Sequence, residues 1–466
     1  MIQNLQFDLL CIGSGPAGQR AAVQAAKLGK RVAVVEKRRV MGGVCVDTGT
    51  IPSKTFREAV LAFGRNAEQF RHRHGVGLSL CPTIDQLLAR VNEVVEREGD
   101  IVEHQLFRNN VTLIRGEATF FDPHTVQVVA EDGAFSIQAS NILIAVGTIP
   151  TTPPGVHSEE DIIITSDGVM RLTHLPKSMV VVGGGVIGIE YASMFASLGI
   201  EVTLVEKRER PLEFLDSEIV DELIHHMRTT NVTFRFGEAV EKLEVAESPT
   251  RRAIIHLESG KRLVSDLVLF SVGRQGATST LNLGAAGLQA DDRGRLKVDH
   301  EFRTSVPHIF AAGDVIGYPS LAATSSEQGR LAACHAFHVS ANHMSAHFPI
   351  GIYAIPEISM VGMTEQELTL RKVPYETGVA RYREIARGQI AGDDAGMLKL
   401  LFHREDKRLL GVHIIGAGAT ELVHVGQAVL GLEGGLDYFL VTVFNYPTMA
   451  ECYKVAALDT LNKLAS

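Results

Sequence analysis

The chain has few cysteines, no excess of positive charge and no long hydrophobic run, and each shortage removes a class of function. Its five cysteines, Cys11, Cys45, Cys81, Cys334 and Cys452, are scattered and odd in number, so no disulfide framework is expected. The formal net charge is -9. Phosphate binding wants a basic face, so no nucleic-acid partner is expected. No uncharged apolar run reaches the roughly 18 residues of a membrane span. The apolar run Phe7–Ile12 has no basic segment before it and passes straight into glycines, which reads as a strand and not as a signal peptide. A cytoplasmic protein with no membrane contact is therefore expected. Cys334, His335, His338, His343 and His347 fit no standard zinc spacing, so no metal is expected either.

What is present is a repeat. Phe7–Arg38 reads FDLLCIGSGPAGQRAAVQAAKLGKRVAVVEKR, and Lys177–Arg208 reads KSMVVVGGGVIGIEYASMFASLGIEVTLVEKR. One constant offset carries Gly13, Gly15 and Gly18 onto Gly183, Gly185 and Gly188. It also carries Glu36-Lys37-Arg38 onto Glu206-Lys207-Arg208. Each copy reads as strand, glycine turn, helix and second strand ending in an acid. The first glycine makes the tight turn, the second lets backbone approach a pyrophosphate, and the third lets helix pack on strand. The pyrophosphate sits at the helix N-terminus, where N–H groups are unpaired. The acid about 20 residues on takes a ribose hydroxyl. Two such units in one chain predict two dinucleotide sites.

Ile142–Pro150 (ILIAVGTIP) and Leu267–Arg274 (LVLFSVGR) read as apolar strands ending in glycine turns at Gly147 and Gly273. Each follows one Rossmann unit and looks like its return strand. His308–Gly317 (HIFAAGDVIG) places Asp314 at a strand end, with a helix expected from about Pro319 to His335. An acid there can accept hydrogen bonds from a polyol. Beyond residue 345 the pattern changes. Ile350–Val361 and Gly396–Ile415 read as strands with hairpin-like spacing, Ala419–Glu433 and Ala450–Leu464 as helices. The expected fold is α/β: two Rossmann-like dinucleotide-binding domains plus a C-terminal α+β dimerisation domain.

The ordered set Gly13-x-Gly15-x-x-Gly18, Gly42-Gly43-x-Cys45, Ile51-Pro52-Ser53-Lys54, Gly147, the second glycine set, Gly313-Asp314 and Tyr446-Pro447-Thr448 resembles the pyridine nucleotide–disulfide oxidoreductases over essentially the whole chain. The resemblance implies FAD in a discontinuous first domain (1–150 and 275–345). It implies NAD(H) or NADP(H) in a second domain (151–274), and a homodimer formed through 346–466. Two departures matter. The family's active disulfide is Cys-x4-Cys, but Thr50 follows Cys45 at that distance. The family's C-terminal base is a histidine, but Tyr446 stands there while Glu451 remains. A phenol with a pKa of about 10 cannot serve as a base at neutral pH. Dithiol substrates are therefore not expected. Segments such as GTIPSK, GDVIGYPSLA and FNYPTMAE resemble the branch of that family that exchanges hydride between nicotinamides through FAD.

The resemblance implies roles for single residues. Gly13, Gly15, Gly18, Glu36, Gly43, Gly147 and Asp314 hold FAD. Lys54 and Glu190 form an ion pair beside the flavin, with Glu190 expected in the first turn of the second unit's helix. Cys45 packs against the flavin without turning over. Gly183, Gly185, Gly188, Glu206 and Gly273 hold the nicotinamide dinucleotide, Glu206 favouring a free 2′-hydroxyl. Arg208 and Arg210 are the candidates for a 2′-phosphate. Two other activities fit the same residues: a flavin reductase with a quinone acceptor, and a nicotinamide-sensing protein without turnover.

Overall fold

The computed structural model describes residues 3–74, 82–131, 133–151, 161–246, 251–393 and 395–465, with the side chains of 3, 4 and 65–74 undescribed; Cys81 lies outside them. Strand β1 (Gln3–Ile12) runs into the first glycine turn, helix α1 (Pro16–Lys27) follows, and β2 (Val32–Glu36) returns parallel to β1, with Leu9 opposite Val32 and Ile12 opposite Val35. Leu9–Ile12 of β1 and Val32–Val35 of β2 are unbroken apolar runs because layers cover both faces. Helix α1 buries Ala17, Ala21, Ala22 and Ala25, the small side chains that let it lie close to the sheet. Helices α2 (Gly43–Asp47), α3 (Thr50–His74) and α4 (Ile84–Phe107) come next. Thr83 and Gln86 close a capping box at the start of α4.

Strands β3 (Thr112–Arg115), β4 (Glu117–Asp122), β5 (Thr125–Ala130) and β6 (Gly133–Ile144) complete the order β3-β2-β1-β6-β5-β4. β6 lies parallel to β1, as a return strand does. The short β7 (Thr148–Pro150) then leads into the second unit. That unit contains β8 (Ile163–Thr165), β9 (Ser178–Val182), α5 (Val186–Ser197), β10 (Glu201–Glu206), α6 (Ser217–Thr229) and β11 (Val232–Phe236). An antiparallel flap of β12 (Val240–Ala246), β13 (Arg252–Leu257) and β14 (Arg262–Ser265) precedes β15 (Leu267–Phe270). β15 inserts between β9 and β8, in the order β11-β10-β9-β15-β8. The chain leaves beside its entry: β16 (Arg274–Gly276) pairs antiparallel with β7. β17 (Ile309–Ala311) then joins the first sheet next to β6. Helix α7 (Ala322–Ala336) packs on α1 so tightly that a Cβ at Gly329 would lie 2.0 Å from the Ala17 carbonyl oxygen.

The terminal module is an antiparallel sheet, β18 (Ile350–Ile352), β19 (Ile358–Gly362), β20 (Tyr375–Arg381), β21 (Met397–His403) and β22 (Leu409–Ile415), ordered β18-β19-β22-β21-β20. It carries helices α8 (Glu365–Leu370), α9 (Ala386–Ala391), α10 (Ala419–Gly431), α11 (Leu436–Val441) and α12 (Glu451–Ala465). Among the described residues no helix is long and apolar enough to cross a membrane.

The segments 350–361 and 396–415 form the antiparallel pairs that their hairpin-like spacing predicts, β18 with β19 and β21 with β22. At two other points the structure departs from the expectation. Strand β20 carries little apolar signal, and its Gly378 lies under α12, where a Cβ would meet the Ala456 oxygen at 2.0 Å. The helix expected from Pro319 starts at Ala322, because Ser320 sits at φ 49, in the left-handed region.

Candidate functional site

Both glycine turns are built the same way. Gly13 adopts φ +104, and a Cβ there would stand 2.4 Å from the Ala145 oxygen. A Cβ on Gly18 would overlap the Gly13 oxygen at 1.9 Å. Gly15 meets nothing within 4 Å. It faces open space and is the N-cap of α1, with no side chain covering the helix end. In the second copy Gly183 adopts φ +106 with the Ser271 oxygen 2.6 Å from its Cβ position. Gly188 is packed against the Gly183 oxygen at 1.9 Å, and Gly185 is open and N-caps α5 without a covering side chain. In both copies the middle glycine leaves an uncapped helix N-terminus facing free space, the cradle a pyrophosphate needs. Gly147 and Gly273 also adopt positive φ and meet nothing within 4 Å.

Gly13, Gly15, Glu36, Gly43, Cys45, Gly147 and Asp314 line one cleft, while Gly18 lies beneath its floor. Glu36 is buried at the end of β2. Its Oε2 accepts from the Ser14 N–H at 2.9 Å and the Ser14 hydroxyl at 2.7 Å, and its Oε1 from the Arg38 N–H at 2.9 Å. Ser14 also accepts from the Gly42 N–H at 2.9 Å. It thereby ties turn, acid and the start of α2 together. Ser14 occupies a variable position of the glycine motif, so its role shows only in its full burial and these contacts. Asp314 begins a short turn after β17, 3.4 Å from the Ser325 hydroxyl. Burial pushes its carboxyl up from the ordinary range, with Arg274, Ser325 and Thr148 opposing.

Lys54 on α3 and Glu190 on α5 meet across the two units, Nζ lying 2.9 and 2.8 Å from the two carboxylate oxygens. Glu190 is in the second turn of α5, not the first, because the helix already starts at Val186. A third partner was not foreseen. The Tyr353 N–H donates to Glu190 at 2.8 Å, and Lys54 Nζ lies 5.0 Å from the Tyr353 ring centroid. Tyr353 comes from the terminal module, so three parts of the chain converge on this pair. Thr50 opens α3 and lines the cleft; Lys54 is four residues on, hence on the same helix face.

Cys45 is partly buried. Burial pushes its thiol up, with the Thr50 hydroxyl partly offsetting this. It therefore stays protonated at neutral pH and is a poor nucleophile. Tyr446 is 67% exposed on the terminal module, and Glu451 Oε2 is buried without a hydrogen-bond partner among the described residues.

Glu206, at the end of β10, is buried like Glu36 but differently engaged. It accepts from the Gly184 N–H at 2.6 Å, from the Arg208 N–H and Nε at 2.9 Å each, and from Arg208 Nη2 at 3.0 Å. Arg210 is turned onto the Ser217 carbonyl and Asp221. Among the described residues one group of acids, Asp216, Glu218 and Glu365, brings ligand atoms within 4.8 Å of one another. The Lys399 ammonium already lies among them, in contact with all three.

Comparison with known proteins agrees with this geometry. The family model described as pyridine nucleotide-disulphide oxidoreductase matches residues 7–329, and that family's dimerisation domain matches residues 348–457. A soluble pyridine nucleotide transhydrogenase of Mycobacterium tuberculosis (strain ATCC 25177 / H37Ra) is 54% identical over 465 residues, covering 98% of each chain. One from Vibrio atlanticus (strain LGP32) is 43% identical over 472 residues, covering 100% of each. Among solved structures, the HOCl-induced flavoprotein disulfide reductase RclA from Escherichia coli superposes with a TM-score of 0.87 at 27% identity, covering 97% of this chain and 99% of its own. LpdA from Mycobacterium tuberculosis superposes at 0.88 with 24% identity, covering 98% and 99%, a likeness of fold. With two matched glycine cradles, a return strand to each and a family match along nearly its whole length, the chain belongs to the pyridine nucleotide-disulphide oxidoreductases.

Proposed function

We propose that this protein is a soluble NAD(P)+ transhydrogenase that moves hydride between NADPH/NADP+ and NADH/NAD+ by way of bound FAD, with one nicotinamide site used in turn by donor and acceptor. The observation that carries this is a pair of intact dinucleotide cradles beside a Cys45 whose partner position holds Thr50. The names of its full-length relatives support the same reading.

The residues present fit FAD. The open N-terminus of α1 at Gly15 would take its pyrophosphate. Glu36 would take the adenosine ribose, and Asp314 the hydroxyls and phosphate region further along the cleft. When bound, the flavin supplies a two-electron carrier that is reduced by one nicotinamide and reoxidised by another. The protein supplies position and charge. Glu190 holds the Lys54 ammonium in place, and Lys54 offers a fixed cation where negative charge develops. Gly183, Gly185, Gly188 and Gly273 shape the second cradle, and Glu206 and Arg208 stand where its ribose would lie.

The same reading assigns residues 1–150 with 275–345 to FAD, 151–274 to the nicotinamide dinucleotide and 346–466 to dimerisation. The return of β17 to the first sheet supports the split first domain. A homodimer through the terminal module is supported by the matched dimerisation domain and by its exposed Leu432, Val441, Val443 and Tyr446. The word soluble in the relatives' names supports a cytoplasmic location.

The test mixes the purified yellow protein with NADPH and thio-NAD+ and follows the absorbance of the reduced thionicotinamide, then repeats with a quinone. Rapid exchange is the expected result. Preference for the quinone would make the protein a quinone reductase, and negligible rates with both would make it a sensor. Cys45→Ser is expected to keep most of the exchange rate, since a protonated thiol without a second sulfur carries no electrons. Loss of activity with FAD still bound would overturn that role for Cys45.

A further inference from the structure

The duplicated chain ends both Rossmann strands in the same tripeptide, Glu36-Lys37-Arg38 and Glu206-Lys207-Arg208, yet the fold gives the two arginines opposite tasks. An ionised carboxylate has about four lone-pair positions. Glu36 uses three, for Ser14 N–H, Ser14 hydroxyl and Arg38 N–H. The Arg38 guanidinium is drawn away onto Asp47 of α2, so Glu36 keeps a free position beside the cleft. Glu206 uses all four, for Gly184 N–H, Arg208 N–H, Arg208 Nε and Arg208 Nη2. In the second unit the nearest acid beside the arginine, Glu213, stands 3.7 Å from Arg208 Nη1, and the guanidinium stays on Glu206. A ribose hydroxyl therefore has no acceptor on Glu206 while the Arg208 side chain is docked there.

We propose that Arg208 is a movable arm that selects between the two forms of nicotinamide dinucleotide. Docked, it occupies Glu206. Swung off, it leaves Glu206 to a free 2′-hydroxyl; turned toward the ribose, it pairs with a 2′-phosphate. The pair is built to open. The Glu206 side chain is 7% exposed and held by backbone, but Arg208 is 44% exposed, where an ion pair holds weakly. Glu213 Oε2 lies 3.7 Å from Arg208 Nη1 and gives the released guanidinium a second anchor. Arg210, held by Ser217 and Asp221, is not the arm, which narrows the sequence expectation that named both. A permanent cofactor is served by an acid left open; a site that takes two substrates in turn is served by an acid with a removable cover.

This inference rests on the nicotinamide reading of the second unit. Its test is calorimetric titration of the FAD-loaded wild type, Arg208→Met and Arg208→Lys with ADP-ribose and with 2′-phospho-ADP-ribose, neither of which transfers hydride. Arg208→Met is expected to bind ADP-ribose more tightly, because Glu206 is uncovered. It should bind the 2′-phosphate fragment about tenfold or more weakly, because a charge-assisted contact is lost. Arg208→Lys should recover part of the second loss. Equal changes for both fragments, or none for either, would overturn the arm. Wild type that binds neither fragment would overturn the nicotinamide reading itself, and the arm with it.

Discussion

Lys54→Met is expected to lower the exchange rate about 100- to 1000-fold, the usual consequence of removing one preorganised charge from a site where charge develops. The yellow cofactor should stay bound, because the cradle at Gly13 and Gly15, the acid Glu36 and Asp314 do not depend on Lys54. Rapid-mixing spectroscopy with NADPH should place the loss in the reduction step. Glu190→Gln should cost less, since the amide oxygen still accepts from Lys54 and Tyr353, and the double variant should be little worse than Lys54→Met because the two residues act as one unit. Reduction by Lys54→Met at half the wild-type rate or faster would remove Lys54 from the chemistry and leave the ion pair a junction between units.

Lys399→Met is expected to destabilise the protein by about 3–5 kcal/mol, the cost of stripping one partner from a buried ion group. The Lys399 side chain is 0% exposed on β21, yet it contacts Asp216 and Glu218 at the start of α6 and Glu365 on α8. Burial opposes its charge, but the three acids outweigh that and raise the ammonium's pKa above the ordinary value. On the neighbouring strand His413 faces Lys399 in register. It is wholly buried, and burial pushes its pKa down, while its charge, where present, works with Lys399 to lower the Asp216 carboxyl. The variant leaves Asp216 a buried carboxylate without its ammonium partner. Its folded pKa rises relative to wild type, so less stability is lost on acidification than in wild type. The stability deficit should therefore be largest near neutrality and narrow as pH falls. A urea unfolding series on the holoprotein measures this, and a loss below about 1 kcal/mol would contradict it. Lys399→Met with Asp216→Leu should recover much of the loss, because removing both charges avoids the stranded anion.

The two dinucleotide units were legible in the sequence because their requirements are local. A positive φ at Gly13 and Gly183, an open backbone at Gly15 and Gly185, and a Cβ-free contact at Gly18 and Gly188 each depend on a few consecutive residues, so spacing alone carries the geometry. The absent disulfide was equally local: position 50 holds threonine. Strand β20 was not legible, since a short polar strand under a helix owes its pairing to packing rather than to its own pattern.

The sequence by itself determined that there are two cradles, in what order they occur, and that Cys45 has no partner. Only the tertiary structure decided what identical residues do in each copy. Arg38 turns onto Asp47 and leaves its acid open; Arg208 folds onto Glu206, with Glu213 only at 3.7 Å. Only the packing of three separate parts brings Lys54, Glu190 and Tyr353 together, or sets Lys399 among acids from two other elements. The reason is one of range: backbone conformation is set by near neighbours in the chain, whereas the partner of a charged side chain is set by whichever element the fold lays beside it.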